Sequence, residues 1–281
     1  MVGMVPSSYY RRPSFGKKRN NPSTLTYYKS KGWVNQDTVL ATIKTVLSHE
    51  FIDCGNRLMN SYLQKDGYLI NHKKLYRIMS EQGLLKLKNR IKRSGSGRKF
   101  VKFRKVNTAK PIECLEMDRK MVWIPSVGKN AYLLSIIDVH ARRILKDYFS
   151  FSIKKDKVIT FLSDLFLSLQ YTENVVIRSD NGSQFIANSV REYLGLIGVQ
   201  QEFTHIAKPE ENAHIEAYHG ILKKKVFQRV DNKTFGEIEQ ILKRHIIFCN
   251  NTRLHGLLGR ITPTLKWKQD KHLILKNKLT A

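Results

Sequence analysis

The stretch Val175-Val176-Ile177-Arg178-Ser179-Asp180-Asn181-Gly182-Ser183-Gln184-Phe185 passes from an apolar run straight into a turn. Val175 to Ile177 read as a buried strand and Asn181-Gly182 as the turn that ends it, so Asp180 is expected at the strand's exposed mouth. Working back from there, the period shifts towards two at Glu113. Strands are expected at about 113 to 124, 130 to 139 and 143 to 151, then a helix from Lys155 to Gln170 with Val158, Phe161, Leu162, Leu165 and Phe166 inward. Working forward, a helix at about 187 to 197 and a strand at 199 to 204 follow. Three strands succeeded by alternating helix and strand predict an α/β unit, a mixed five-stranded sheet with flanking helices. No internal repeat is visible.

Beyond the sheet, Asn212 to Val226 reads as a helix, with Asn212, Glu216 and Lys223 at offsets of minus four, zero and plus seven. That spacing puts an amide, a carboxylate and an ammonium on one face. Thr234 and Glu237 form a capping box that opens a last helix lined by Ile238, Ile241, Leu242, His245 and Cys249. The tail from Asn250 to Trp267 is turn-rich, and regular structure is expected to end near Pro263.

The N-terminal part differs in character. Fifty Lys and Arg against 23 Asp and Glu give the 281-residue chain a formal charge of +27, and residues 1 to 110 hold 24 of the basic and only 5 of the acidic side chains. Such charge favours a polyanionic partner, nucleic acid or an anionic membrane surface. Residues 1 to 35 read as a basic arm, with Tyr9, Tyr10, Tyr27 and Tyr28 among Arg11, Arg12, Lys17, Lys18 and Arg19. Aromatic and basic residues so interleaved suit a nucleic-acid backbone, and a frayed terminus has the same composition. Residues 36 to 88 show three short helices, the last after Asn71 as N-cap, with Lys73, Lys74 and Arg77 outward and Gly83 as its stop. This pattern is that of a helix-turn-helix DNA-binding domain, shared with small bundles that bind nothing. A linker over 89 to 110 follows, in which Lys92, Arg93, Arg98 and Lys99 flank Ser94-Gly95-Ser96-Gly97 and suit phosphates. The core then covers 111 to 230 and a helical tail 231 to 281.

Hydrophobic residues make up 41% of the chain, enough to exclude wholesale disorder. Cys54, Cys114 and Cys249 match neither a disulfide framework nor a zinc ribbon and read as reduced thiols. No apolar run approaches the roughly 18 residues of a membrane span, and no membrane partner is expected. His205, His214, His219, His245 and His255 fit no common zinc spacing and read as surface, packing or DNA-contact residues. Trp123 and Trp267 read as core or interdomain anchors.

Asp118, Asp180 and Glu216 stand on a predicted strand, a strand end and a helix, ordered elements from which three carboxylates can converge on divalent metal ions. Two-metal phosphoryl transfer needs hard oxygen ligands and no covalent protein nucleophile. Asp138, at the end of the second strand, is a rival for the first position.

The residues around these carboxylates carry a resemblance. Ser179 to Phe185 resembles the second-aspartate motif of the integrase-type catalytic core shared by retroviral integrases and bacterial insertion-sequence transposases. Asn212-Ala213-His214-Ile215-Glu216 followed by Lys223 resembles its glutamate motif. Asn250-Asn251-Thr252-Arg253-Leu254-His255, with Leu258 and Thr262-Pro263, is similar to the tail motif of the transposases, and residues 56 to 85 to the helix-turn-helix before their core. The pattern is that of the second reading-frame product of the insertion-sequence-3 type.

The resemblance implies a ribonuclease-H-like fold and a DDE triad of Asp118, Asp180 and Glu216 that is both catalytic and metal-binding. It implies Mg²⁺ or Mn²⁺ as cofactor, two ions in all, and cleavage and joining of element ends to target DNA. Lys223 would contact DNA near the scissile phosphate, with Asn212 supporting the site. The implied partners are element-end and target DNA, further copies of the chain on that DNA and an upstream reading-frame product; the implied location is the bacterial cytoplasm, at the nucleoid. The chain departs from the family in placing Arg119-Lys120 after the first aspartate and Arg178 where many relatives have histidine. Two other readings remain: a catalytically silent DNA-binding accessory derived from a transposase, and a ribonuclease-H-like nuclease on RNA hybrids, which leaves the tail motif unexplained.

Overall fold

The computed structural model describes residues 23–85, 106–205, 209–230 and 232–275. They fall into two compact units, one of residues up to 48 with 54 to 87, the other of residues 49 to 53 with 88 onward. Lys92, Arg93, Arg98 and Lys99 lie outside the described residues.

The smaller unit contains strands β1 (Thr26–Tyr28) and β2 (Gly32–Val34), helices α1 (Gln36–Leu47) and α2 (Asn56–Asp66), strand β3 (Tyr68–Leu69) and helix α3 (His72–Glu81). Asn35 caps α1 by accepting from Thr38 N at 2.9 Å, and Asn71 caps α3 by accepting from Lys73 N at 2.8 Å. Gly67, in the left-handed region at φ +106°, ends α2 and turns the chain into β3. The three helices bury Val39, Ile43, Met59, Leu63, Leu75, Ile78 and Met79 together.

Part of the expected basic arm is instead a hairpin. β1 pairs antiparallel with β2 and β3, and Tyr28 stacks on Tyr68 at 4.4 Å. Its turn signal, Gly32 at φ +75° after Lys29-Ser30-Lys31, is hidden in sequence by the surrounding basic residues. The hairpin also occupies two of the outward cations of α3. Lys74 Nζ donates to Leu25 O and Arg77 to Ser23 O, while Lys73 remains exposed.

The larger unit is built on a sheet of β4 (Cys114–Ile124), β5 (Lys129–Asp138), β6 (Ile144–Ser150), β7 (Val176–Ser179) and β8 (Gln200–Phe203), in the order β6-β5-β4-β7-β8. The first three strands are antiparallel, and β7 and β8 join in parallel. Between them run α4 (Lys155–Leu169), α5 (Ser183–Ile186) and α6 (Asn188–Leu196); α7 (Ala213–Lys225) and α8 (Phe235–Asn251) follow. This is the mixed five-stranded sheet with flanking helices expected from the sequence.

Alternation along the strands sorts the two faces. Leu115, Met117, Leu134, Ile136 and Ile177 pack on one side with Val158, Phe161, Leu162 and Leu165 of α4 and Val190 and Leu194 of α6. Val122, Ile124, Ala131 and Leu133 pack on the other with Ile215, Tyr218 and Leu222 of α7 and Ile238, Leu242 and Phe248 of α8. The capping box of α8 is formed, Thr234 and Glu237 each satisfying the other's backbone.

Regular structure does not end near Pro263. Helix α9 (Pro263–Asp270) starts there, followed by α10 (His272–Leu275). Proline at the first helical position lacks only an N–H that would have no helical partner, and Thr262 caps the turn by accepting from Leu265 N. The helix buries Trp267 in the α4 side of the core, as expected of an anchor; Trp123, by contrast, is exposed on β4. All three cysteines are buried free thiols. Among the described residues no helix is long and apolar enough to cross a membrane.

Candidate active site

The register of the parallel pair decides where the two aspartates stand. Cys114, Leu115 and Glu116 face Val176, Ile177 and Arg178 across the ladder. Continued by two residues on each strand, the same offset sets Asp118 opposite Asp180, just past the last paired residue of β7. Asp180 therefore lies just past the carboxyl end of β7, and Asp118 lies beside it on the neighbouring parallel strand, midway along β4. Asp180 is exposed and accepts from Gly182 N at 3.1 Å, so the Asn181-Gly182 turn orients it. A Cβ on Gly182 would meet the Gln184 side chain at 2.3 Å and the Asp180 carboxylate at 3.1 Å, which excludes other residues there without a shift.

Glu216 reaches the same region from α7, and a residue absent from the sequence-level candidates anchors that helix. Glu116 is fully buried on β4, two residues before Asp118 and on the same face. Its Oε2 accepts from the backbone N–H of His214 and of Ile215, each at 2.9 Å, and its Oε1 pairs with His214 Nδ1. Asn212, at the N-cap position, caps nothing with its own side chain; Glu116 takes its place from the sheet, a carboxylate at the positive end of the helix. The Asn212 amide is buried and donates to Met117 O at 3.3 Å. Glu216, exposed in the first turn, is thus held to the strand that bears Asp118.

Arg178 explains one departure from the family pattern. It faces Glu202 in the β7–β8 register and makes a two-nitrogen contact with it, at 2.8 and 3.2 Å, while Nη1 donates to Glu211 O at 3.1 Å. One guanidinium therefore joins two strands to the turn (Pro209–Asn212) that leads into α7.

Beneath α7 a polar row crosses the sheet: Asp118 faces Ser135, and Ser135 faces Asp147. His219 Nδ1 lies 3.1 Å from Asp118 Oδ2, and Tyr218 donates to Asp147 Oδ2 at 2.6 Å. Burial pushes the Asp118 carboxyl up, but the bond and charge of His219, the Arg119 amide and Lys120 outweigh it and leave it below the ordinary value. Burial and the charge of Asp118 raise Asp180 against the Gly182 hydrogen bond. Glu216 is raised by burial, then by Asp118 and Glu116. Asp180 and Glu216 thus each sense Asp118, although among the described residues no group of three or more His, Cys, Asp or Glu is close enough together to hold a metal ion.

The rival Asp138 is occupied elsewhere. Fully buried, it accepts from Ile112 N and Ala141 N and holds the turn after β5, and burial pushes its carboxyl up to about 6. Lys223 is exposed on α7 beside Lys120. The histidines divide as structural partners: His214 with Glu116, His219 with Asp118, His205 with Glu211, and His245 buried among Phe51, Tyr218 and Phe248. Of the residues missed in sequence, Glu116 had a signal, its place two residues from Asp118 on an alternating strand. His219 had none beyond its spacing from Glu216.

Two family models, both described as integrase core domain, match residues 108–209 and 197–263. The transposase for insertion sequence element IS904 of Lactococcus lactis is 25% identical over 244 residues, 83% of this chain and 95% of the relative. The InsK protein of insertion sequence element IS150 of Escherichia coli is 25% identical over 258 residues, 86% of this chain and 88% of the relative. Among solved structures, the catalytic core domain of BIV integrase is similar with a TM-score of 0.45 and 17% identity, over 58% of this chain and 97% of that one. The two matched stretches run from residue 108 to residue 263 and include Asp118, Asp180 and Glu216, so this part of the chain matches an integrase core domain, and most of the chain is similar to insertion-sequence transposases.

Proposed function

We propose that the protein is a DNA transposase that cleaves the ends of an insertion sequence and joins them to target DNA, with Asp118, Asp180 and Glu216 as the catalytic carboxylates. The observation that supports this reading is the β4–β7 register, which sets Asp118 opposite Asp180, with the Glu116 anchor that ties the first turn of the Glu216 helix to the same strand.

The donor set fits hard divalent cations. It offers carboxylate oxygens and no thiolate, and Asp180 and Glu216 are raised in part by the charge of Asp118, a repulsion that a cation relieves. Asp118, Asp180 and Glu216 would hold Mg²⁺ or Mn²⁺, and a pair of such ions supplies charge stabilisation to the attacking and leaving oxygens of an in-line displacement. The chain's own work is positioning. His219 fixes the orientation of Asp118, the Asn181-Gly182 turn that of Asp180, and Glu116 with Asn212 the start of the Glu216 helix. The charge of Arg119 acts on Asp180 and that of Lys120 on Glu216, and with Lys223 they would neutralise phosphates while a water or a DNA 3′-hydroxyl attacks the phosphodiester.

The partners follow from the same reading: element ends, target DNA, further copies of the chain on that DNA, and an upstream reading-frame product. In the smaller unit Lys73 is the exposed cation of α3 and the DNA contact in this account, with Lys74 and Arg77 fixing the hairpin beside it. The linker cations Lys92, Arg93, Arg98 and Lys99 add phosphate contacts.

The test is incubation of the full chain with Mg²⁺ and duplexes carrying the element ends taken from its flanking genomic DNA. Cleavage and strand transfer are expected from the wild type and are lost in Asp180→Asn and Glu216→Gln with melting unchanged. Undiminished transfer by either variant, or an inactive wild type on every end, refutes the reading.

A further inference from the structure

The sheet of the smaller unit has two unlike faces. Tyr27 of β1 stands directly opposite both Trp33 of β2 and Leu69 of β3, and residues so paired share a face. On the other face Thr26 and Tyr68 are buried, and Tyr28 stacks on Tyr68. The face of Tyr27, Trp33 and Leu69 therefore points outward, and these three are 38%, 68% and 58% exposed. Tyr27 and Tyr28, adjacent in sequence, thus divide: Tyr28 packs the unit and Tyr27 is left to the surface.

An exposed row of large apolar side chains marks an interaction surface. The Tyr27 and Trp33 rings meet edge to face, with centroids 5.6 Å apart and planes at 77°. That arrangement covers at most one face of either ring and leaves the others free to stack. A groove of about 460 Å³ runs along the row past Leu25, Tyr27, Trp33 and Leu69, and Lys74 of α3 borders it. Lys74 donates to Leu25 O at the start of β1, and its ammonium carries two further donors. Lys29 and Lys31 are exposed at the other end of β1, where the hairpin turns.

A ligand laid along β1 therefore meets ammonium groups at each end and aromatic rings between them. Phosphates with planar bases between them match that order, so charge and ring chemistry together select nucleic acid. A sheet face with projecting aromatic residues takes bases that can splay out and stack, which unpaired strands supply and a duplex does not.

We infer that the outer face of the β2-β1-β3 sheet binds unpaired DNA, with Trp33 and Tyr27 as its stacking surfaces and Lys29, Lys31 and Lys74 as its phosphate contacts. This adds a second DNA-binding surface to the transposase reading and rests on that reading only for the choice of DNA as the nucleic acid.

The test is spectroscopic and independent of turnover. Of the three tryptophans, Trp33 and Trp123 are exposed and Trp267 is 8% exposed. On a Trp123→Phe background in the full chain, exposed emission therefore comes from Trp33. Oligodeoxythymidylate is expected to quench that emission, and a duplex of equal length to quench it far less. In the otherwise wild-type chain, Trp33→Ala should weaken oligodeoxythymidylate binding about tenfold and Trp33→Phe much less. Lys29→Gln with Lys31→Gln should lower the salt dependence of the quenching. Unchanged emission at saturating single strand, or equal quenching by duplex, overturns the inference. So does a blue shift of Trp33 emission on raising the protein concentration without DNA, which would give the face to a second copy of the chain. Cleavage of element-end duplexes by the wild type, measured alongside, separates the two readings: cleavage without quenching removes the platform and leaves the transposase, and quenching without cleavage does the reverse.

Discussion

Replacing Glu116 tests the coupling between sheet and helix. In Glu116→Ala the backbone N–H groups of His214 and Ile215 lose the acceptor that both now share at 2.9 Å. Ile215 is fully buried, so its N–H finds no water in exchange, whereas His214 is partly exposed and recovers some hydration. A buried donor left unsatisfied costs about 1–3 kcal/mol, which puts the loss for the pair at about 2–4 kcal/mol. For a unit of this size that is roughly 5–15 °C in Tm. Glu116→Gln retains an oxygen acceptor and the shape but gives up the charge at the helix N-terminus, and should lose only about 1 kcal/mol. Thermal melting followed by circular dichroism reads both variants. Cleavage should fall with Tm in the same order, because Glu216 rides on the first turn that Glu116 fixes. A Glu116→Ala protein that melts within about 1 °C of the wild type, or a Gln variant less stable than the Ala variant, would refute the anchor.

Three further outcomes follow from the same contacts. His219→Asn removes the bond and charge that hold Asp118 down, so the Asp118 carboxyl should rise towards the ordinary range and Mg²⁺-dependent cleavage fall about 10–100-fold at saturating DNA; equal activity at every Mg²⁺ concentration would remove His219 from the site. Arg178→Lys keeps the charge but cannot span Glu202 and Glu211 O together, and should cost about 1–2 kcal/mol in urea unfolding, with no loss if the guanidinium fork is dispensable. His245 is buried with its pKa pushed down to about 4 by burial, then by Arg253 and Lys225. Between pH 6.5 and 4 the unfolded chain binds a proton there that the folded chain refuses, so stability is present above that window and is lost as pH falls through it, by roughly 3 kcal/mol. His245→Phe should flatten this slope in melts taken across the window, and an unchanged slope would contradict it.

The larger unit was legible because its elements are periodic over lengths that leave one reading. The strand expected at 130 to 139 is Lys129–Asp138, and the helix expected from Lys155 to Gln170 is Lys155–Leu169. Asp180 was legible because strand and turn signals adjoin it. Asp138 stayed a rival because an aspartate that holds a turn and one that faces a cleft look alike in sequence; only its bonds to Ile112 and Ala141 separate them. Glu116 was illegible for a different reason, since its partners lie 98 and 99 residues away. Pro263 reads as a stop because a proline that closes one segment and one that opens a helix differ only in the residue before it, here the capping Thr262. Trp123 reads as a core or interdomain anchor because tryptophan is costly to expose, a rule that fails where a neighbouring strand ends early.

Under the proposed function, the Glu116 anchor also bears on when the chain becomes able to cut DNA. Both aspartates are synthesised well before residue 213, and their strands can pair as soon as β7 is made. The helix that supplies the third carboxylate can dock only onto a β4 that is already in place, through a contact spanning 98 residues of chain. Under that function, a chain truncated before residue 213 has both aspartates but not Glu216, and is expected to leave DNA uncut. Completion of the fold is the switch that arms it.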